Sequence, residues 1–68
     1  MIVHVAVPVP GLGLLTYRVP DGVARPVVGA RVVVPLGARV VTGIVMDDAS
    51  EPSVDAVALK PVREVLDA

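Results

Sequence analysis

The sequence predicts an all-β fold, a small antiparallel barrel of five strands, and three features lead to that prediction. Valine is the most frequent residue, with eighteen copies in 68 residues, and its branching at Cβ favours the extended backbone of a strand. Short segments of alternating apolar and polar residues recur along the chain. Proline and glycine separate these segments at positions typical of turns.

Composition restricts the kind of protein that the chain can be. At 68 residues it is one small domain, residues 1–68, or part of a larger protein. It has no cysteine, which excludes a disulfide framework and a thiolate metal site. With no Phe, no Trp and one Tyr, its core must be aliphatic. No apolar run is long enough to span a membrane and no leader pattern opens the chain, so we expect a cytoplasmic protein without a membrane partner.

Charge is unevenly distributed along the chain, although the net charge is only −1. Residues 1–45 contain four arginines and a single aspartate, a net charge of +3. Residues 46–68 contain one lysine and one arginine against six carboxylates, a net charge of −4. The low total argues against indiscriminate binding of nucleic acid, but the asymmetry permits a local basic patch.

The first two strands are predicted at residues 2–7 and 14–19. In the first, valines at alternate positions indicate one buried face. Pro8 ends it, because proline has no N–H to donate to a neighbouring strand. After the second strand, the Pro-Asp-Gly sequence at 20–22 is a strong turn signal.

The segment 29–37 contains the central strand, in which three consecutive valines lie between bracketing glycines. Pro35 requires this strand to end or to lie at an edge of the sheet. Residues 36–39 have the length of a hairpin connection, and residues 40–46 form the partner strand. Gly43 within that partner indicates either a bulge or a close approach of other backbone.

The last third of the chain is less regular. Residues 47–57 are acidic and polar, which predicts a solvated loop, and residues 56–59 are compatible with one helical turn. Residues 61–66 form a final strand. Five short strands separated by turn signals favour a small antiparallel barrel, similar to the oligonucleotide-binding fold or of another kind.

Catalytic chemistry is missing from the sequence. No glycine begins a Walker phosphate loop, and no spacing supports a Ser-His-acid triad. We interpret His4, the sole histidine, as an ordinary strand residue, and the carboxylates of 47–57 as a solvated loop rather than a cation site. The chain by itself is therefore expected to be neither an enzyme nor a holder of metal or cofactor.

Several residues leave two interpretations open. Tyr17 is favoured as a packing residue over a base-stacking one. Arg18 and Arg31 suit contact with phosphate or with solvent equally well, whereas Arg39 at the hairpin tip is the better phosphate candidate by position. On composition alone, the domain would be a structural barrel without a nucleic-acid site, whose exposed valine edges bind protein, for example the rest of its own parent chain.

Five blocks in order along the chain carry a resemblance to a known family: VPVP at 7–10, LTYRVPDG at 15–22, GARVVVPLG at 29–37, TGIV at 42–45 and LKPVREVLD at 59–67. From about residue 3 to residue 67, the chain resembles the N-terminal 3′-DNA-binding domain of the PriA family (primosomal protein N′). These are the ATP-dependent 3′-to-5′ DNA helicases that restart stalled bacterial replication forks. Because the family's domain continues beyond this point, we expect the chain to be part of a longer protein.

The resemblance implies a function and a site. The family's domain recognises the 3′ end of the nascent leading strand at an abandoned fork and orients the helicase, whose further requirements are ATP, zinc and other primosome proteins. Carried over by motif, the pocket for the terminal nucleotide would be formed by Leu15, Thr16, Gly37 and Lys60. Leu15 stands where the family often has phenylalanine, so a stacking platform is missing, and Thr16 stands where some members have aspartate. In these roles Gly37 would allow close approach, Thr16 would hydrogen-bond the terminal hydroxyl, and Lys60 would lie near the terminal phosphate.

Overall fold

The computed structural model describes residues 1–49 and 59–67. In this part of the chain, five strands form one antiparallel sheet of order β2-β1-β4-β3-β5. These residues include no helix, and hence none long and apolar enough to cross a membrane. The predicted all-β, antiparallel, five-stranded fold is thus confirmed. The strands are β1 (Ile2–Ala6), β2 (Leu15–Arg18), β3 (Arg31–Leu36), β4 (Arg39–Asp48) and β5 (Glu64–Val65).

The sheet curls until its two edges approach each other, but strand pairing does not close it. β2 and β5 are the edges, and a single parallel bridge between Arg18 and Pro61 links β2 to the residues before β5. Two hydrogen bonds form this bridge, from the Arg18 N–H to the Lys60 carbonyl (3.1 Å) and from the Val62 N–H to the Arg18 carbonyl (2.8 Å). The predicted barrel is therefore supported only loosely, as a curled sheet with a seam.

The core is aliphatic, as the composition predicted. Valines from β1, β3 and β4 lie on the inner face at alternate positions, and each stabilises the fold by roughly 1.5–3 kcal/mol through burial. Tyr17 packs among them at 3% exposure, and its hydroxyl donates a hydrogen bond to the Pro35 carbonyl at 2.7 Å. This bond ties β2 to β3 across the interior and confirms Tyr17 as a packing residue. The side chains exposed by 1% or less are Val3, Val5, Val32, Val34, Val45 and Val62.

The β3–β4 hairpin turns over two residues, Gly37 and Ala38, with Leu36 paired opposite Arg39. Gly37 has φ +62° whereas Ala38 does not have a positive φ, the pattern of a type II′ turn with glycine at its first central position. Pro35 lies inside β3 and pairs with Val40 on one side. On its other side β5 pairs only with Val32 and Val33, so Pro35 occupies an edge and breaks no ladder there.

Gly43 confirms the close-approach interpretation rather than the bulge. A Cβ built on it would lie 2.5 Å from Cγ1 of Val5 and 2.7 Å from the carbonyl oxygen of Ala6. The irregularity in β4 falls elsewhere: Val45 pairs with Val5 and Asp47 with His4, which leaves Met46 as the extra residue.

Strand bounds differ from the predicted ones most at the end of β4 and in the final strand. β4 continues through Asp48, so Asp47 belongs to a strand and not to a solvated loop; pairing with β1 holds it there, and His4 Nδ1 lies 2.6 Å from its Oδ1. The final strand covers only Glu64–Val65 instead of 61–66. Of the loop predicted over 47–57 and the helical turn predicted over 56–59, the part at 50–58 lies outside the described residues, and Leu59 is in a bend.

Candidate nucleic-acid interface

An open cleft lies between the edge strand β2, the hairpin turn and the segment that precedes β5. Its volume is about 290 Å³. Leu15, Thr16, Gly37 and Lys60, which are far apart in the sequence, all line it. The structure therefore brings together the four residues that the resemblance singled out. The remaining lining residues are Tyr17, Pro35, Leu36 and Leu59.

The edge position of β2 explains how two consecutive residues reach the same cleft. Side chains at Leu15 and Thr16 point to opposite faces of the strand, as in any β-strand. Leu15 packs against the core, and Thr16 lies opposite His4 on the other face. In the described part of the chain, no strand pairs with β2 on the side away from β1. The half-buried side chains of Leu15 and Thr16 therefore both border the open edge of the sheet.

Arg18 fixes the opposite wall of the cleft. Its Nε donates to the Leu59 carbonyl at 3.0 Å, and its backbone N–H donates to the Lys60 carbonyl at 3.1 Å. The Nε–H of the half-buried Arg18 side chain thus holds backbone, and contact of its other N–H groups with solvent or with phosphate stays a prediction. Lys60 is thereby presented at the rim, exposed, with no ion pair to any residue within 1–49 or 59–67.

Gly37 contributes conformation and open space. Its positive φ is what the two-residue turn needs, and a side chain there would be strained. A Cβ built on Gly37 would meet nothing within 4 Å, so the backbone of the turn faces open solvent at the rim of the cleft. A ligand can therefore approach this backbone directly.

Two further hollows adjoin the cleft and share Pro35 and Gly37 with it. One, of about 610 Å³, lies towards Lys60 and Arg63. The other, of about 480 Å³, lies along the hairpin and is lined by Arg39 and Arg63. Arg39 thus lies beside the predicted cleft and not in it. Sequence reasoning missed Arg63, whose only signal was a basic residue within the last block of the resemblance.

The cations divide into those bound to protein groups and those that face solvent. Arg31 makes a two-pronged contact with Asp67, Nη2 to Oδ1 at 2.9 Å and Nε to Oδ2 at 3.1 Å, and its backbone N–H adds a third bond at 2.9 Å. These bonds lower the pKa of Asp67 to about 2 and occupy the Arg31 guanidinium. Among the described residues, Arg39, Lys60 and Arg63 have no side-chain partner, and no acidic side chain lines the cleft or either hollow.

The fold and the cleft define a small all-β binding domain, in which a cleft with Lys60 at its rim adjoins two hollows lined by Arg39 and Arg63. A family model described as the 3′DNA-binding domain (3′BD) of PriA matches residues 4–68, and the chain belongs to this family. The chain is therefore a DNA-binding module. A search of curated proteins found no match to it.

Proposed function

We propose that the cleft binds the terminal nucleotide at a free 3′ end of a DNA strand. The observation that carries the proposal is the convergence of Leu15, Thr16, Gly37 and Lys60 on one hollow at the edge of the sheet. A volume of about 290 Å³ is at the small end of the range for ligand pockets, roughly 300–1,000 Å³, and suits one nucleotide better than several.

Each wall of the cleft offers a different group to such a ligand. The hydroxyl of Thr16 can donate to or accept from a 3′-OH. The Lys60 ammonium suits a phosphate as a flexible point charge. Leu36 and Leu59 provide apolar surface for the sugar or base. Because Tyr17 is occupied in the core, the cleft has no free aromatic face, and we expect little base preference.

Family membership supports a proposal about the wider role. We infer that recognition of the 3′ end orients an attached ATP-dependent 3′-to-5′ helicase at stalled forks, for primosome assembly and replication restart in the bacterial cytoplasm. In that arrangement ATP and zinc would be bound by other parts of the longer protein, and the present chain would supply the DNA-end contact.

A titration of the 68-residue chain with a fluorescent single strand tests the cleft. We expect a strand with a 3′-OH to bind more tightly than the same strand with a 3′-phosphate, because Thr16 loses the hydroxyl as its partner and the bulkier phosphate has to fit a cleft of only about 290 Å³. Lys60→Ala should weaken binding of the 3′-OH strand by roughly tenfold, the typical value of a charge-assisted contact. Thr16→Val should reduce the preference for the 3′-OH.

Arg25→Ala is the matched control, since Arg25 is exposed and lines none of the three hollows. It should bind as the unmodified chain does. Equal affinity for the two strands, or no binding at millimolar strand, would refute the proposal. A large drop in the melting temperature of Lys60→Ala would show that Lys60 is structural.

The protein-interaction role considered above has separate support from exposed apolar side chains. Val27 and Val28 are 65% and 66% exposed, and Ile44 and Met46 lie exposed on β4. None of these four residues lines the cleft, so protein docking there would not compete with DNA. The 3′-OH titration separates the two roles, because a domain that binds only protein would not distinguish the two strands.

A further inference from the structure

The two hollows beside the cleft form a continuous basic margin around the hairpin turn. The larger is bordered by Lys60 and Arg63, and the smaller by Arg63 and Arg39. Among the residues that the structure describes, Arg63 is the only cation that lines both hollows. A strand that leaves the cleft past Gly37 therefore meets Arg63 whichever of the two hollows it enters.

The backbone on either side of Arg63 is held firmly while its side chain is exposed. The Arg63 N–H donates to the Val33 carbonyl at 2.8 Å. The preceding residue, Val62, is buried in the core, and its N–H donates to Arg18. The guanidinium has no partner within the described ranges 1–49 and 59–67, in contrast to that of Arg31. The backbone of Arg63 is thus held in place, while its guanidinium is exposed to a ligand.

We propose that Arg63, followed by Arg39, binds the internucleotide phosphates of the DNA strand immediately 5′ of its terminal nucleotide. The inference rests on the proposed function, since it needs the strand end to occupy the cleft. A guanidinium suits this ligand because its planar fork can donate two hydrogen bonds to one phosphate.

The surroundings of Arg63 favour a phosphate-and-sugar contact over base recognition. The larger hollow has an apolar floor that includes Pro20, Val23 and Pro61, and no acidic side chain from residues 1–49 or 59–67 lines either hollow. Such a surface contacts sugar without hydrogen-bonding base edges. Phosphate contacts position a strand but carry no sequence information. The inference thus predicts affinity that rises with the first few nucleotides, whatever their sequence.

The test combines changes in the protein with changes in the DNA. The 68-residue chain is titrated with a labelled thymidine tetranucleotide bearing a 3′-OH, in natural form and with uncharged methylphosphonates at its two 3′-most linkages. Arg63→Ala should weaken binding of the natural strand about three- to tenfold, and should lower the slope of log affinity against log salt by about 0.7. The methylphosphonates should weaken binding to the unmodified chain but have much less effect on Arg63→Ala.

Arg63→Lys and Arg25→Ala serve as controls. Arg63→Lys should retain part of the affinity through its charge, and Arg25→Ala should retain all of it. Circular dichroism melts check that the variants fold; the effect of methylphosphonates on the unmodified chain tests the inference even without a variant. Binding by Arg63→Ala equal to that by Arg25→Ala, or an equal methylphosphonate effect on both proteins, would overturn the inference.

The affinity for the 3′-OH strand relative to the 3′-phosphate strand tests the proposed function independently of Arg63. If Arg63→Ala binds normally while this preference persists, the phosphate path is wrong and the terminal site stands. If the preference is absent from the unmodified chain, the terminal site is wrong, and the inference fails with it whatever Arg63→Ala does.

Discussion

The two ends of the β3–β4 hairpin differ in whether their charged side chains are exposed or paired with one another. At the turn end, Arg39, Lys60 and Arg63 surround Gly37 without a described acidic neighbour in the hollows. At the far end, Asp67 holds Arg31, and β4 finishes in two aspartates, the first of which contacts His4. One end exposes positive charge and the other neutralises it.

This comparison shows why a net charge of −1 says little about binding. Residues 46–68 are acidic in total, yet Lys60 and Arg63 come from that part of the chain. The fold places these two cations beside the turn of the basic part, while Asp67 lies two residues beyond the last strand against Arg31. The local basic patch that the sequence permitted is thus formed by residues from both parts.

The largest effect is expected from a substitution that disturbs the sheet to which both ends of the hairpin belong. Gly43→Ala would place a methyl group 2.5 Å from Val5 Cγ1 and 2.7 Å from the Ala6 carbonyl, so β1 and β4 would have to separate. We expect a loss of about 1–3 kcal/mol or more in the free energy of unfolding, measured by chemical denaturation. Gly13→Ala is the control, since its added Cβ meets nothing within 4 Å and its φ is not positive. Equal stability of the two variants would contradict the close packing described at Gly43.

A smaller effect is expected at the turn end alone. Tyr17→Phe removes the hydrogen bond to the Pro35 carbonyl next to the cleft, and should lower the free energy of unfolding by about 0.5–1.5 kcal/mol at pH 7. Burial raises the pKa of Tyr17, so the unfolded chain releases this proton at lower pH than the folded one. Stability of the unmodified chain should therefore fall as the pH rises above about 10, and Tyr17→Phe should lack that component of the fall. Parallel pH profiles for the two proteins would show that the hydroxyl is not buried as described.

The smallest effect on stability is expected at the far end of the hairpin, where Asp67 pairs with Arg31. The pKa of Asp67 falls from its ordinary 3.8 to about 2, because Arg31 stabilises the carboxylate. Its contribution to stability is therefore present above pH 3.8 and is lost as the pH falls towards 2. The melting temperature of Asp67→Asn should therefore decrease less than that of the unmodified chain as the pH falls through this window, as measured by thermal unfolding at successive pH values.

DNA binding by Asp67→Asn at neutral pH should match that of the unmodified chain, although the substitution frees Arg31. Arg31 lies at the start of β3, whereas the cleft lies beyond its end. A gain in affinity as large as the loss in Lys60→Ala would show that the two ends do not act separately.

Much of the strand layout was predictable because it depends on local chemistry. The alternating valines of β1 identified its buried face, the consecutive valines of β3 identified a strand, and Gly37 identified the turn. The cleft was predictable only through the resemblance, since nothing in the spacing of Thr16 and Lys60 brings them together.

What escaped prediction depends on contacts between distant segments. Asp47 looks like a loop residue by composition, but pairing with His4 keeps it in β4. The extra residue at Met46 depends on register against β1, which the sequence of β4 alone does not specify. Asp67 pairs with Arg31 and not with Arg63, which has no partner among the described residues, and this choice depends on where the fold places Asp67.

Arg18 belongs to β2, which forms one wall of the cleft, and it holds the facing wall at two positions. Its side chain binds the Leu59 carbonyl, and its backbone N–H binds the Lys60 carbonyl. A ligand lodged between these walls would act as a reversible cross-link across the seam of the sheet. By mass action, a strand end present at a hundredfold its dissociation constant would add about 2.7 kcal/mol to the stability of the fold. In so small a domain, the melting temperature itself would then report whether a DNA end is bound.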